Sequence, residues 1–204
     1  VWKDLSTAAI SVTDSITSLQ IANDGSNLYL AVLTSGKSLT VYKSNGGTSA
    51  WATLGSAIST NALSADISCT ANQMPVVTFV DSNKKPNISR WSGSAWNNQS
   101  VPTVKAGTGT MKVREAKATY MSDGKLVVVY VDTTSHYRGY YVLYNSSLSV
   151  QKKDAAIDTA MSVIDMASDN NNLYIGFLNR SLNYYGPCIK HGTVSGSSIA
   201  FDNS

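Results

Sequence analysis

The chain has 204 residues, enough for one domain or two, and 43% of them are hydrophobic, enough for a substantial core. Only 14% are charged, the net charge is +3, and the basic residues are scattered along the chain. This distribution argues against a nucleic-acid-binding protein, in which basic residues are usually concentrated in a stripe or patch. The longest apolar run is six residues, far short of the roughly twenty that cross a bilayer, so membrane insertion is not expected.

An apolar run recurs four times along the chain and is its most informative feature. The runs are LYLAVL from Leu28, VVTFV from Val76, LVVVYV from Leu126 and LYIGFL from Leu173. The spacings between matching positions are about 47, 51 and 47 residues, and these positions are Tyr29, Val76, Val127 and Tyr174. A repeat of about 48 residues is typical of β-propeller blades, each of which is a four-stranded sheet. The sequence therefore predicts an all-β propeller of about four blades.

The predicted elements follow this repeat in chain order within one domain, residues 1–204. VWKDLSTAAIS at the start aligns with AWATLGSAIS from Ala50, so residues 1–14 are predicted to be the outer strand of a preceding or closing blade. The four blades are predicted over 15–60, 61–106, 107–158 and 159–204. The ring either closes within this chain or belongs to a larger ring. Tryptophan recurs at equivalent fourth-strand positions, which predicts blade-packing roles for Trp2, Trp51 and Trp96.

The second strand of each repeat carries the physical argument for a propeller. An antiparallel strand with one solvent-exposed face alternates apolar and polar residues, but residues 127–131 are apolar without a break. Both faces of this strand must be buried, and the stacking of blades around an axis buries them. A two-sheet sandwich also buries such strands, but it does not explain the repeat.

The first two repeats resemble those of large secreted or surface-attached propeller-like proteins. In that outline an apolar strand ends near an aspartate such as Asp81, a turn such as Ser92-Gly93 follows, and a strand opens at Trp51 or Trp96. The third and fourth repeats lack the tryptophan. The resemblance implies an extracellular or cell-surface β-propeller and says little about its ligand.

A second resemblance is to the Ser-x-Asp-x-Gly-x-x-Trp turns of sialidase propellers. SNGGTSAW, from Ser44 to Trp51, has the length and both ends of that turn. However, Gly46 stands in place of the aspartate and Thr48 in place of the glycine, so the similarity is one of turn chemistry.

Catalysis, metal binding and cofactor binding are not expected from the sequence. A glycosidase needs two carboxylates facing one substrate, whereas the single glutamate, Glu115, lies in a charged segment and is predicted to form a solvated ion pair with Arg114 or Lys112. The two histidines, His136 and His191, have no partners at metal-ligand spacing. No cofactor motif is present.

The two cysteines, Cys69 and Cys188, fall in different repeats. They are predicted to be small buried thiols, with a disulfide as the alternative.

Ligand binding is predicted at the loops that break the repeat, DTTSHYRGY from Asp132 and NRSLNYYG from Asn179. Tyrosine offers an apolar ring face with a hydroxyl, which suits sugars, but tyrosine and arginine are also favoured at protein interfaces. The candidate binding residues are Tyr137, Arg138, Tyr140, Arg180, Tyr184 and Tyr185. Because Tyr140 continues into a strand, a core position is its alternative.

Three functions follow from this reasoning. The first is an extracellular, lectin-like module that recognises a glycan or a surface polymer. The second is a structural, adhesive or protein-interaction repeat whose partners are other protein subunits. The third is a degenerate glycosidase-type propeller.

Overall fold

A computed structural model of the chain describes residues 10–45, 50–103, 111–134, 136–181 and 184–202. These residues form sixteen β-strands and contain no helix, which confirms the all-β prediction. In this part of the chain there is accordingly no helix long and apolar enough to cross a membrane. Of the predicted strand at 1–14, residues 1–9, including Trp2, lie outside the described residues, and residues 10–14 belong to no strand.

The strands form four antiparallel sheets of four strands, each in chain order, as the propeller prediction requires. Blade 1 contains β1 (Ile16–Asn23), β2 (Leu28–Thr34), β3 (Leu39–Ser44) and β4 (Ala52–Thr53). Blade 2 contains β5 (Ala62–Thr70), β6 (Gln73–Asp81), β7 (Pro86–Trp91) and β8 (Trp96–Ser100). Blade 3 contains β9 (Val113–Tyr120), β10 (Leu126–Asp132), β11 (Arg138–Tyr144) and β12 (Val150–Asp158). Blade 4 contains β13 (Met161–Asp169), β14 (Asn172–Ser181), β15 (Tyr184–Ser195) and β16 (Ser198–Phe201).

The second strands of the blades are the four apolar runs of the sequence, and β10 shows why they do not alternate. Every residue of β10 is buried, and the strand is hydrogen-bonded on one side to β9 and on the other to β11. Val128 and Tyr130 belong to the core shared with blade 2, whereas Val127 and Val129 belong to the core shared with blade 4. Both faces of the sheet are therefore blade interfaces.

The first strand of each blade lies innermost, next to the axis of the propeller. β1 packs against β5, β5 against β9 and β9 against β13, whereas the outer strands of neighbouring blades make few contacts. Each blade thus has a face toward the preceding blade and a face toward the following blade, called here the preceding face and the following face. Within the described residues, none of the extensive strand contacts joins blade 1 to blade 4.

The two cysteines are both free. Cys69 lies on β5 and Cys188 on β15, in different blades, and both are partly buried. Burial raises the pKa of the Cys69 thiol to about 12, so this thiol is protonated and unreactive at neutral pH.

Candidate functional site

Three chain segments meet where blades 3 and 4 adjoin, at the end of the propeller that carries the loop between β10 and β11. Backbone hydrogen bonds tie these segments together. The N–H of Ala160 donates to the carbonyl oxygen of His136 (3.2 Å), and the N–H of Met161 donates to that of Tyr137 (2.7 Å). The N–H of Arg180 donates to the carbonyl oxygen of Ala160 (2.8 Å). The arrangement of this end is thus set by main-chain contacts between the blades.

The β10–β11 loop has an uncommon backbone at its exit. His136 and Tyr137 both adopt the left-handed conformation, with φ of 56° and 59°. Such residues cost free energy and persist where the surrounding structure holds them. Here both carbonyl groups are held by blade 4, which fixes the direction of the two side chains.

A buried carboxylate fixes the start of the same loop. Asp132 is fully buried at the end of β10, and its Oδ1 accepts hydrogen bonds from the N–H and the hydroxyl of Thr134 at 2.9 and 2.7 Å. A side-chain bond of this kind to the residue two positions on closes an Asx turn. The loop is therefore anchored at both of its ends.

The anchored loop and the end of β14 form an open groove of about 740 Å³. The Arg180 guanidinium lies over the Tyr137 ring, with its central carbon 5.0 Å from the ring centroid, a cation–π arrangement that orients both side chains. The other polar groups of the groove are the side chains of Thr133, Thr134, His136, Thr159 and Ser181. Among the described lining residues, Arg180 and His136 are the only ionisable ones besides the tyrosine, and none is acidic.

The structure brings two of the six candidate residues, Tyr137 and Arg180, into this groove. Arg138 is exposed on β11 but does not line it, and Tyr185 is exposed on β15. The side chain of Tyr184 lies outside the described residues.

Tyr140 lies in the core and takes no part in the groove. Its ring is buried and stacks on that of Tyr130, with centroids 5.7 Å apart. The reason is the pleat of β11, because alternate side chains point to opposite faces and Tyr140 falls on the face packed against blade 2.

Sequence reasoning missed His136 and the threonines of the groove. The segment DTTSHYRGY was recognised as a loop that departs from the repeat, but only its aromatic and arginine residues were selected. His136 was considered only as a metal ligand. The available signal was its place next to Tyr137 in an irregular loop, because neighbouring loop residues share one surface.

A second polar cluster lies near the axis, on the innermost strands. Asp66 of β5 forms an ion pair with Lys117 of β9, with the Lys117 Nζ 3.3 Å from the Asp66 Oδ1. Glu115, also on β9, accepts a hydrogen bond from the N–H of Ile164 in blade 4 (3.3 Å). A groove of about 380 Å³ between β1, β5 and β9 is lined by Glu115 and Arg114. Burial raises the pKa of both Asp66 and Glu115, against the opposing effect of Lys117.

The expectation that Glu115 forms a solvated ion pair with Arg114 or Lys112 was wrong. Among the described residues, none of the ion pairs includes Glu115, which is partly buried. The physical reason is that most of the charged segment 112–117 lies in the innermost strand β9, where alternate side chains point to the two neighbouring blades. Glu115 points toward blade 4 and contacts its backbone. The described residues contain no group of three or more histidine, cysteine or acidic side chains placed to hold a metal ion.

Trp96 and Trp51 are both partly buried, and Trp96 joins two blades. Its indole Nε1 donates to the carbonyl oxygen of Leu54 in blade 1 (2.6 Å), and its ring packs against that of Trp91, with centroids 5.4 Å apart. Trp96 also packs against the core shared by blades 1 and 2. This position agrees with a blade-packing role.

No family model matches the sequence, and no curated protein matches it significantly. Solved structures do match. An exo-β-1,3-galactanase from Phanerochaete chrysosporium, in complex with β-1,3-galactotriose, aligns with a TM-score of 0.60 at 12% identity over 99% of this chain and 51% of the galactanase. A sialidase from Trypanosoma rangeli aligns with a TM-score of 0.62 at 12% identity over 93% of this chain and 38% of the sialidase.

A third match is the β-propeller domain of the Trilobed protease from Pyrococcus furiosus, with a TM-score of 0.56 at 11% identity over 92% of this chain and 56% of that domain. At such low identity these likenesses show the fold alone, and the fold is a β-propeller. The chain spans about half the length of the galactanase. The weak resemblance to sialidase-type propellers thus extends to the fold.

Proposed function

We propose that the chain is an extracellular or cell-surface, non-catalytic propeller module that binds a glycan in the groove between blades 3 and 4. The observation that carries the proposal is the fixed Tyr137–Arg180 pair in an open groove between anchored loops. Pockets that bind small ligands combine an apolar surface with a few placed polar groups, which is the composition of this groove. Several of the structural neighbours act on carbohydrates by name, which supports the same class of ligand.

The charge of the groove favours an acidic glycan over a neutral one. Arg180 covers one face of the Tyr137 ring, so a sugar would contact the ring edge, the phenolic hydroxyl and the outward N–H groups of Arg180. A guanidinium binds a carboxylate through two parallel hydrogen bonds. With Arg180 as the positively charged group and no described acidic residue in the lining, a carboxylate-bearing sugar is the ligand that best fits.

The test is a glycan array that contains neutral and acidic sugars, followed by titration of any hit with variants. We expect binding to a carboxylate-bearing sugar class that weakens at least about tenfold in Arg180→Ala, the loss expected when a charged hydrogen-bonding partner is removed. Binding should also weaken in Tyr137→Ala, because the ring that orients Arg180 is lost. Arg138→Ala is the matched control, because it removes an exposed arginine next to Tyr137 that does not line the groove. Equal losses in Arg138→Ala and Arg180→Ala would show that binding follows net charge and would contradict the site. A chain that binds no glycan would favour the structural or protein-interaction role.

A glycosidase-type activity is the second candidate, and one observation favours it. Asp66 and Glu115 lie on adjacent innermost strands, and burial raises the pKa of both. Glycoside hydrolysis uses a pair of carboxyl groups, one of which has a raised pKa. Release of sugar from an oligosaccharide library that is lost in Glu115→Gln, and kept in Arg180→Ala, would establish this alternative. Absence of release by the wild-type chain would exclude it for the sugars tested.

A further inference from the structure

The preceding face of blade 1 carries apolar residues at the positions that form the blade interfaces elsewhere, but here these residues are exposed to solvent. Ile21 on β1 lies opposite Leu30 on β2, and the same position of the repeat holds Ile67 in blade 2, Ala118 in blade 3 and Met166 in blade 4. Ile67 and Ala118 are buried against the preceding blade, and Met166 packs against the core of blades 3 and 4. Ile21, however, is 63% exposed, and its neighbour Leu19 is 51% exposed.

The following face of blade 4 likewise exposes apolar residues at positions that are buried in the other blades. Ile189 on β15 lies opposite Gly176 on β14, and its equivalents in blades 1, 2 and 3 are Val41, Ile88 and Tyr141. All three equivalents are buried against the following blade, but Ile189 is 78% exposed. Tyr174 is likewise exposed, although its equivalent Tyr29 is buried. Among the described residues, blade 4 thus presents an unpaired following face, and blade 1 an unpaired preceding face.

We propose that these two faces bind each other between two copies of this chain, in a head-to-tail contact that continues the propeller. Every blade interface within the chain joins a following face to a preceding face. In a second copy, the preceding face of blade 1 can pack on the following face of blade 4 of the first copy, and the reverse. An interface between different surfaces of identical chains produces a ring when the rotation closes and a filament when it does not. Two copies would place eight blades in a ring, within the range of four to eight blades known for propellers.

The polar groups near the axis support the same pairing. Inside the chain, Asp66 on the following face of blade 2 pairs with Lys117 of blade 3. In the register of the repeat the blade 4 equivalent of Asp66 is Asp165, and the blade 1 equivalent of Lys117 is Gln20. Across the proposed contact, the amide N–H of Gln20 would donate to the carboxylate of Asp165. The contact would thus place a hydrogen-bond donor beside a carboxylate near the axis, in addition to the apolar match of the two faces, and the inference does not depend on glycan binding.

The experiment measures the mass of the purified chain by light scattering and sedimentation, from about 1 to about 100 µM, because association follows mass action. We expect particles of two chains, twice the 21.7 kDa of one, that dissociate on dilution. Ile21→Asp and Ile189→Asp should each weaken association at least about tenfold, because each buries an unpaired charge in the contact. The matched control is Val150→Asp, which changes an exposed apolar residue on β12 that belongs to neither face.

Mixing the two variants provides a test that is specific to a head-to-tail contact. The Ile21→Asp variant keeps an intact blade 4 face and the Ile189→Asp variant keeps an intact blade 1 face, so their mixture retains one functional contact. A 1:1 complex in the mixture, with each variant monomeric alone, shows that both variants are folded and confirms the geometry. A wild-type chain that stays monomeric at the highest concentration overturns the proposal, and so does association that persists unchanged in both variants.

Discussion

At the scale of single residues, the groove depends on how closely β11 approaches the start of blade 4. A methyl group built on Gly139 would lie 3.1 Å from the Cε of Met161 and closer still to its sulfur, and Met161 is fully buried. The absence of a side chain at residue 139 therefore lets the β10–β11 loop reach the backbone of blade 4. This contact holds Tyr137, two positions earlier, over the groove.

We expect Gly139→Ala to lower the free energy of unfolding by about 1–3 kcal/mol, the usual cost of overpacking a core. The matched control is Gly176→Ala, where a methyl group would meet nothing within 4 Å and the expected change is within about 0.5 kcal/mol. Urea denaturation of both variants checks the prediction. Equal stabilities of the two variants would contradict the close approach of Met161.

The pH dependence of stability is set in part by Glu115. Burial raises its pKa above the ordinary 4.5, against the hydrogen bond from the N–H of Ile164 and the charges of Lys117 and Arg114. The folded chain therefore holds this proton more tightly than the unfolded chain does. As the pH rises from 4.5 through the folded-state pKa, the unfolded state ionises first and the free energy of unfolding falls.

We expect Glu115→Gln to unfold at nearly the same temperature as the wild type at pH 4 and at a higher temperature at pH 7.5. The amide oxygen of glutamine keeps an acceptor for the N–H of Ile164 without the charge. The pKa of Asp66 is also raised, but Asp66 is present in both proteins. The difference in unfolding temperature between the two proteins therefore reports on Glu115. Thermal unfolding at the two pH values measures it, and a variant that is less stable at pH 7.5 would contradict the sign.

At the scale of elements, the outer strand β8 fastens blade 2 to blade 1 through one indole. The Trp96 Nε1–H donates to the carbonyl oxygen of Leu54, which precedes Gly55. Gly55 has a φ of 74° and lies under the Trp91 ring, where a side chain would clash. The tryptophan pair thus packs on a turn that only glycine accommodates easily.

We expect Trp96→Phe to cost about 1 kcal/mol more in unfolding free energy than Trp91→Phe, because only the first change leaves the Leu54 carbonyl without its donor. Both variants remove an indole from the same ring pair, so the loss of ring area is comparable. Urea denaturation with tryptophan fluorescence gives both values. Equal losses would indicate that the Trp96–Leu54 hydrogen bond contributes nothing.

The strands could be predicted from the sequence to different extents. β10 was evident because its uninterrupted apolar run has no other explanation than burial on both faces. β4 has only two residues and both are exposed, so it carries little pattern of its own and was placed by its neighbour Trp51.

At the scale of the whole molecule, the blades form an array in which each contacts its neighbours, and stability is expected to be lowest at the ends. β10 is buried throughout, whereas β1 has alternate residues exposed. We expect the amides of β10 to exchange last with solvent and those of β1 among the first. Hydrogen exchange at about 1 µM, where association between chains is disfavoured, measures this order, and a β1 as protected as β10 would contradict the open end of the array.

The candidate site shows which functional residues the sequence pattern could predict and which it could not. Loop irregularity led to Tyr137 and Arg180, which come from different blades and meet in the structure. The same reasoning also led to Tyr140, which the pleat turns into the core, and it passed over His136. Glu115 was assigned to the surface because its neighbours are charged, although the strand that contains it lies next to the axis.

The sequence by itself determined the all-β architecture, the number of blades and the identity of the four buried strands, because both a repeat and an unbroken apolar run are local patterns with one physical meaning. Only the tertiary structure decided which loop residues meet in a groove and which carboxylates lie on the innermost strands. It also decided that Ile21 and Ile189 lie on unpaired faces. Such facts depend on how the blades are placed around the axis, and residues about 40 positions apart, such as Tyr137 and Arg180, become neighbours only through that placement.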